Sequence, residues 1–149
     1  MLLIYGGSSS GKSAAALGAV RNKKNCLYLL LEEDAAHMKR LRKGGIEFAM
    51  LKNCLFIDIK SRVLEKGGLI GNTLDYLVID SLNFIKDRMS YKKKIEQIEQ
   101  IERDFGLKAI CTLNMLKMGD GLAREVESLS CEKMTAFEYA NRQLRMEFK

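Results

Sequence analysis

Short apolar runs alternate with polar or amphipathic stretches along the chain, and glycine and charge mark the breaks. Leu2–Tyr5 is apolar and stops at Gly6-Gly7. Ser13–Arg21 carries alanine and leucine at helical spacing and is broken by Asn22-Lys23-Lys24-Asn25. Cys26–Leu31 is an unbroken apolar run, the pattern of a strand covered on both faces, and it ends in Glu32-Glu33-Asp34. Ala35–Lys43 then reads as a basic helix closed by Gly44-Gly45. Cys54–Ile59 predicts a third strand. Arg62–Lys66 predicts a short helix or irregular link before Gly67-Gly68. Tyr76–Ile79 predicts a fourth strand ending at Asp80. Tyr91–Phe105 is amphipathic, with Ile95, Ile98 and Ile101 along one side and Gly106 as its stop. Lys108–Leu113 predicts a fifth strand ending at Asn114. Met115–Leu129 is polar, carries Gly119 and Gly121, and reads as a loop or partly ordered helix. Met134–Tyr139 and Gln143–Phe148 read as two final strands, a C-terminal β-hairpin around Ala140-Asn141-Arg142.

This alternation predicts an α/β fold: one domain over residues 1–149, with an open, mostly parallel central sheet flanked by helices on both faces. In such sheets the site lies at the C-terminal ends of the strands, where the polar residues of interest fall. The bulk composition adds limits. At 149 residues, 47% hydrophobic and 30% charged, the chain reads as one globular domain. No apolar run approaches the roughly 20 residues a membrane span needs. Met1-Leu2-Leu3-Ile4-Tyr5 has no basic region ahead of its apolar stretch, so a cytoplasmic protein is expected. Cys26, Cys54, Cys111 and Cys131 are widely spaced with no C-x-x-C, which suits buried thiols in a reducing compartment. The net charge of +6 is compatible with a polyanionic partner and equally with a mildly basic soluble domain.

Residues 6–13, Gly6-Gly7-Ser8-Ser9-Ser10-Gly11-Lys12-Ser13, match the G-x-x-x-x-G-K-[ST] phosphate loop between a predicted strand and a predicted helix. Glycines let the main chain wrap a phosphate so that successive N–H groups face it, and the helix that follows presents its positive end to the same anion. Lys12 is expected to reach the β- and γ-phosphates, and the Ser13 hydroxyl to bind Mg²⁺. Leu77-Val78-Ile79-Asp80 is an apolar run capped by an acid, so Asp80 is the expected second Mg²⁺ residue. Asp80-Ser81 is also a good helix-capping pair, and Asp58 is a weaker candidate for the metal. Glu32 and Glu33 close the second strand. One of them either activates the attacking water or simply complements the dipole of a following helix.

These motifs, in this order, resemble the RecA-like P-loop ATPases, in the branch of KaiC, RadA (Sms) and the DnaB-type helicases. Gly6–Ser13 resembles that family's Walker A. Tyr28-Leu29-Leu30-Leu31-Glu32-Glu33 resembles its second strand, Tyr76–Leu82 its Walker B, and Ile110–Gly119 its sensor strand. The resemblance implies a minimal single-domain ATPase core that binds ATP and Mg²⁺, with Glu32 as catalytic base and Glu33 second. It puts Asn114 at the γ-phosphate sensor position, where relatives carry the longer Gln or His. It implies a homo-oligomer, ring or filament, acting on single-stranded DNA in recombination, repair or replication. Lys117 then falls at a basic position that contacts nucleotide across an interface or lies by the DNA loop, or is a solvated lysine. The basic clusters are His37, Lys39, Arg40, Arg42 and Lys43, then Lys92-Lys93-Lys94, then Lys117 with Arg124; the lysine triplet reads best as a solvated face. The segment 115–129 has no aromatic residue, so a phosphate-tracking mode of DNA binding is expected. Two other functions fit parts of the pattern. One is a small-molecule kinase, since the opening thirteen residues also resemble adenosylcobinamide kinases. The other is a non-catalytic ATP-binding assembly subunit.

Overall fold

A computed structural model of the chain describes residues 1–7, 10–20, 23, 25–31, 54–58, 63–66, 74–85, 89–115 and 119–147. In chain order these form β1 (Leu2–Gly6), α1 (Lys12–Val20), β2 (Cys26–Leu30), β3 (Cys54–Asp58), β4 (Val63–Lys66) and β5 (Tyr76–Asp80). A 3₁₀ turn (Leu82–Phe84) leads to α2 (Tyr91–Phe105), β6 (Lys108–Asn114), α3 (Gly119–Ser128), β7 (Glu132–Thr135) and α4 (Ala136–Glu147). The strands form a seven-stranded sheet in the order β4-β3-β2-β5-β6-β1-β7. Every neighbouring pair is parallel except β3 and β4. The fold is therefore α/β with a mostly parallel sheet. Among the described residues no helix is long and apolar enough to cross a membrane.

The period of two along each strand sorts the apolar residues onto two faces. Ile4, Tyr28, Leu30, Val78 and Ile110 pack with Ala16, Leu17 and Val20 of α1 and with Ala136 and Tyr139 of α4. Leu3, Leu77, Ile79, Cys111 and Leu113 pack with Tyr91, Ile95 and Ile98 of α2 and Leu122 and Val126 of α3. Both faces are covered, which is why the strands read as continuous apolar runs. α1 and α4 flank one face, α2 and α3 the other.

Two expectations need correction, and two others are sharpened. The final strands of the hairpin do not form. Glu132–Thr135 is a strand parallel to β1, and Ala136–Glu147 is a helix. The reason is local: Thr135 and Glu138 hydrogen-bond reciprocally, the Glu138 N–H to Thr135 Oγ1 at 3.1 Å and the Thr135 N–H to Glu138 Oε2 at 2.6 Å, which starts a helix where a strand was expected. The segment Val63–Lys66 is a strand, because antiparallel pairing to β3 supplies partners that its own sequence does not announce. Gly119–Ser128 is a regular helix. In α2, Ile95 and Ile98 are buried but Ile101 is 37% exposed. Each step of three residues falls about 60° short of a full turn, so the row rotates away from the sheet. The predicted helix over Ala35–Lys43 lies outside the described residues.

Candidate functional site

The C-terminal ends of β1, β5 and β6 gather the polar residues. Gly6 ends β1 in register with Asn114, the last residue of β6, and the Met115 N–H donates to the Gly6 carbonyl at 2.9 Å. β6 lies between β1 and β5, so Asn114 stands between the loop that leaves β1 and the Asp80 end of β5.

The loop itself is built around two glycines. A Cβ on Gly6 would come within 2.7 Å of the Ser10 hydroxyl oxygen, and Gly11 has φ +86°, a conformation that L side chains rarely adopt. Lys12 opens α1, and its ammonium donates to the Gly7 carbonyl and, at 3.4 Å, to Ser10 Oγ. The cation thus lies over the loop's own main chain. Ser13, in the first turn of α1, is buried. Gly7, Ser10 and Gly11 complete the described part of the loop, while Ser8 and Ser9 lie outside the described residues.

Asp80 is 1% exposed and held from both sides. The Tyr28 hydroxyl, from β2, donates to Oδ2 at 2.7 Å, and the Thr112 hydroxyl, from β6, donates to Oδ1 at 2.7 Å. The geometry follows from register. Leu30 pairs with Asp80, so Tyr28 sits two residues back on the same face and its long side chain reaches forward. Ile79 pairs with Cys111, so Thr112 is level with Asp80 on the neighbouring strand. The Leu31 N–H also donates to the Asp80 carbonyl, which carries the β2 chain just past the end of β5. The Asp80–Ser81 peptide is cis.

A second group lies beside it. The Ser81 hydroxyl donates to Asn83 Oδ1 at 2.6 Å, and the Asn83 side chain holds the main chain of Asn114 through two bonds. Asn114 itself is 7% exposed. Tyr28, Thr112 and Asn83 carry no functional signal in the sequence. Each acts across 31 or more residues, and only strand register, which local pattern does not give, could have found them.

Glu32, Glu33 and Lys117 lie outside the described residues, as do His37, Lys39, Arg40, Arg42 and Lys43. Leu31 is the last described residue before Glu32. Asp58 ends β3 opposite Leu30, on the row that also contains Asp80. Lys92, Lys93 and Arg124 are exposed. Lys94 corrects the reading of its triplet as a solvated face: it is buried, donates to the Ile85 carbonyl at 3.0 Å and lies 4.9 Å from the centre of the Tyr91 ring. Cys26 and Cys111 are buried free thiols, and Cys131 is partly exposed.

The residues fit a nucleotide phosphate with Mg²⁺. At position 6 a Cβ would run into Ser10 Oγ, so only glycine lets the loop fold back this closely, and Lys12 is the loop's cation. Magnesium in such sites takes one or two protein oxygens together with phosphate and water rather than an all-protein cage, which suits Ser13 and Asp80. Among the described residues no group of three or more His, Cys, Asp or Glu is placed to hold a metal. Comparison with protein-family models, curated proteins and solved structures found no match.

Proposed function

We propose that the protein is an ATP-binding, Mg²⁺-dependent ATPase of the RecA-like type that acts on single-stranded DNA as a homo-oligomer. The observation that carries the reading is the glycine-built loop at the β1–α1 junction, with Lys12 over it and with Asp80 and Asn114 at neighbouring strand ends. The loop amides and Lys12 bind the phosphates. Ser13 and Asp80 hold the metal, Asp80 being oriented by Tyr28 and Thr112. When bound between Ser13 and Asp80, Mg²⁺ would supply positive charge against the negative charge that develops on the transferring phosphate. Glu32, with Glu33 second, takes the proton of the attacking water. The Asn114 amide donates to the γ-phosphate.

Binding to single-stranded DNA rests on the net charge of +6 and the basic clusters, and its affinity falls steeply with salt as backbone counterions are released.

The deciding experiment is steady-state ATP hydrolysis with Mg²⁺, with and without single-stranded DNA, on wild type, Lys12→Ala and Glu32→Gln. DNA-stimulated turnover is expected in wild type. Lys12→Ala loses nucleotide binding. Glu32→Gln lowers kcat by about 10²–10⁴-fold, the usual worth of a positioned base. Turnover indifferent to DNA and to Glu32 would point instead to phosphoryl transfer onto a small alcohol. Tight ATP binding without turnover would point to an assembly subunit.

A further inference from the structure

The ladder between β5 and β6 runs from Tyr76 opposite Lys108 to Ile79 opposite Cys111. After Asp80 the chain leaves the sheet through Ser81 into the 3₁₀ turn. On that side the main chain of Asn114 meets a side chain instead of a strand. The Asn114 N–H donates to Asn83 Oδ1 at 2.7 Å, and Asn83 Nδ2 donates to the Asn114 carbonyl at 3.0 Å. A carboxamide carries one acceptor and an N–H donor in a plane, as a peptide group does. It therefore offers Asn114 the pair of bonds that a neighbouring strand residue would. On its other side Asn114 is in register with Gly6, the first residue of the phosphate loop.

We propose that Asn83 is a positioning residue of the nucleotide site, its carboxamide standing in for a strand so that Asn114 is held level with Gly6 and the phosphate loop. The inference rests on the ATPase reading and assigns to that site a residue which touches neither nucleotide nor metal.

Three observations support the assignment. Asn83 is itself fixed: its own N–H donates to Ser81 Oγ at 3.3 Å, and the same hydroxyl donates back to Oδ1. Leu82, the neighbouring residue of the same turn, is fully buried in the cluster that holds Tyr91 and Ile95 of α2 and Leu122 of α3. Glu125 of α3 accepts from the Lys92 N–H at 3.2 Å, which ties the start of α2 to α3. The 3₁₀ turn thus packs through Leu82 against two joined helices and holds β6 through Asn83. The chemistry explains why bracing matters. An asparagine has a short side chain, so a γ-phosphate contact from Asn114 depends on where its main chain sits, and a misplacement of about 1 Å costs up to about 100-fold in rate.

The test uses full-length wild type, Asn83→Ala and Asn83→Asp, with ATP turnover, ATP binding and hydrogen exchange of the Asn114 amide followed by NMR. Asn83→Ala removes both bonds. Asn83→Asp keeps an acceptor for the Asn114 N–H but sets a second oxygen against the Asn114 carbonyl. Both variants are expected to lower kcat by about 10- to 100-fold with KM for ATP unchanged. Asn114 exchange is expected to quicken by about tenfold in Asn83→Ala and to stay near wild type in Asn83→Asp. Wild-type kcat in Asn83→Ala would overturn the inference alone, and so would loss of ATP binding in step with melting temperature. A wild type that binds no nucleotide would overturn the ATPase reading and the inference with it. Binding without turnover would remove only the hydrolase reading. The inference would then stand if nucleotide slows Asn114 exchange in wild type and not in Asn83→Ala, and fall otherwise.

Discussion

Tyr28 and Thr112 converge on one buried carboxyl group from the two strands that flank it. Removing either hydroxyl takes a donor away from an acceptor that water reaches poorly. Tyr28→Phe is therefore expected to destabilise the fold by about 1–3 kcal/mol in urea unfolding, with a smaller loss for Thr112→Val where repacking is easier. Both variants are also expected to need more Mg²⁺ for half-maximal ATP turnover, because Asp80 loses its orientation. An unchanged Mg²⁺ requirement in both would remove Asp80 from the metal site. Asp80 was legible in the sequence as an acid that closes an apolar run. Its two partners were not, since a tyrosine and a threonine inside apolar strands look like core filler until register brings them level with it. The cysteines show the same limit. Their wide spacing predicted free thiols, but only packing separates them. Burial above all, with Cys131 and Glu102 nearby, pushes the Cys111 thiol far up. Cys131 is raised by burial and by Glu99, yet is partly exposed. Alkylation of the folded protein at neutral pH, mapped by mass spectrometry, is expected at Cys131 with Cys111 untouched. Equal labelling would mean that β6 opens readily.

The C-terminal segment shows how an element is decided by its ends. Met134–Tyr139 has strand-like content, but Thr135-Ala136-Phe137-Glu138 is also the T-x-x-E pattern of a helix start, and the reciprocal bonds between Thr135 and Glu138 form it. That signal was present in the sequence and outweighs weak strand preference once β7 ends. Tyr139 and Ala136 then face the sheet, while Phe137, Leu144 and Met146 remain exposed. β4 is the opposite case: Val63–Lys66 has no decisive pattern of its own, and only pairing with β3 makes it a strand. The bounds of α2 were legible, with Gly106 closing it in the left-handed conformation; the Ser90 cap, the exposure of Ile101 and the burial of Lys94 came only with the structure. Thr135→Ala is expected to cost about 1 kcal/mol, the usual worth of a helix N-cap, with α4 fraying first in helix-detected melts. Main-chain and side-chain bonds from Thr135 hold the Glu138 carboxyl below its ordinary range. A depressed folded value means that this contribution is present above the unfolded-state value and lost as pH falls through the folded one. The stability gap between wild type and Glu138→Ala should therefore be constant around neutrality and narrow in acid. A gap that widens in acid would contradict the cap.

At the scale of the molecule, strand order brings the candidate site together. The chain supplies the candidate phosphate loop after its first strand, Asp80 as the last residue of its fifth and Asn114 as the last residue of its sixth. The insertion of β6 between β1 and β5 makes them neighbours. Alternating runs in the sequence announced parallel strands and helices on two faces. They did not announce this order, because buried parallel strands share one apolar pattern and crossovers of different length join them equally well. The same order sets what ligand binding should do to the whole fold. A nucleotide held at the ends of β1, β5 and β6 touches strands that pair through the middle of the sheet, so it stabilises the folded state as one unit. MgATP at about 100 times its Kd adds about 2.7 kcal/mol by mass action, a rise in Tm of roughly 5–10 °C for a domain of this size. Scanning fluorimetry on wild type should show that rise with MgATP and a smaller one with ATP and EDTA, since the proposed ligands Ser13 and Asp80 would then lack their ion. Lys12→Ala should show none. A wild-type Tm unmoved by saturating MgATP would mean that the loop, for all its glycines and its lysine, is a turn between β1 and α1 and not a phosphate site.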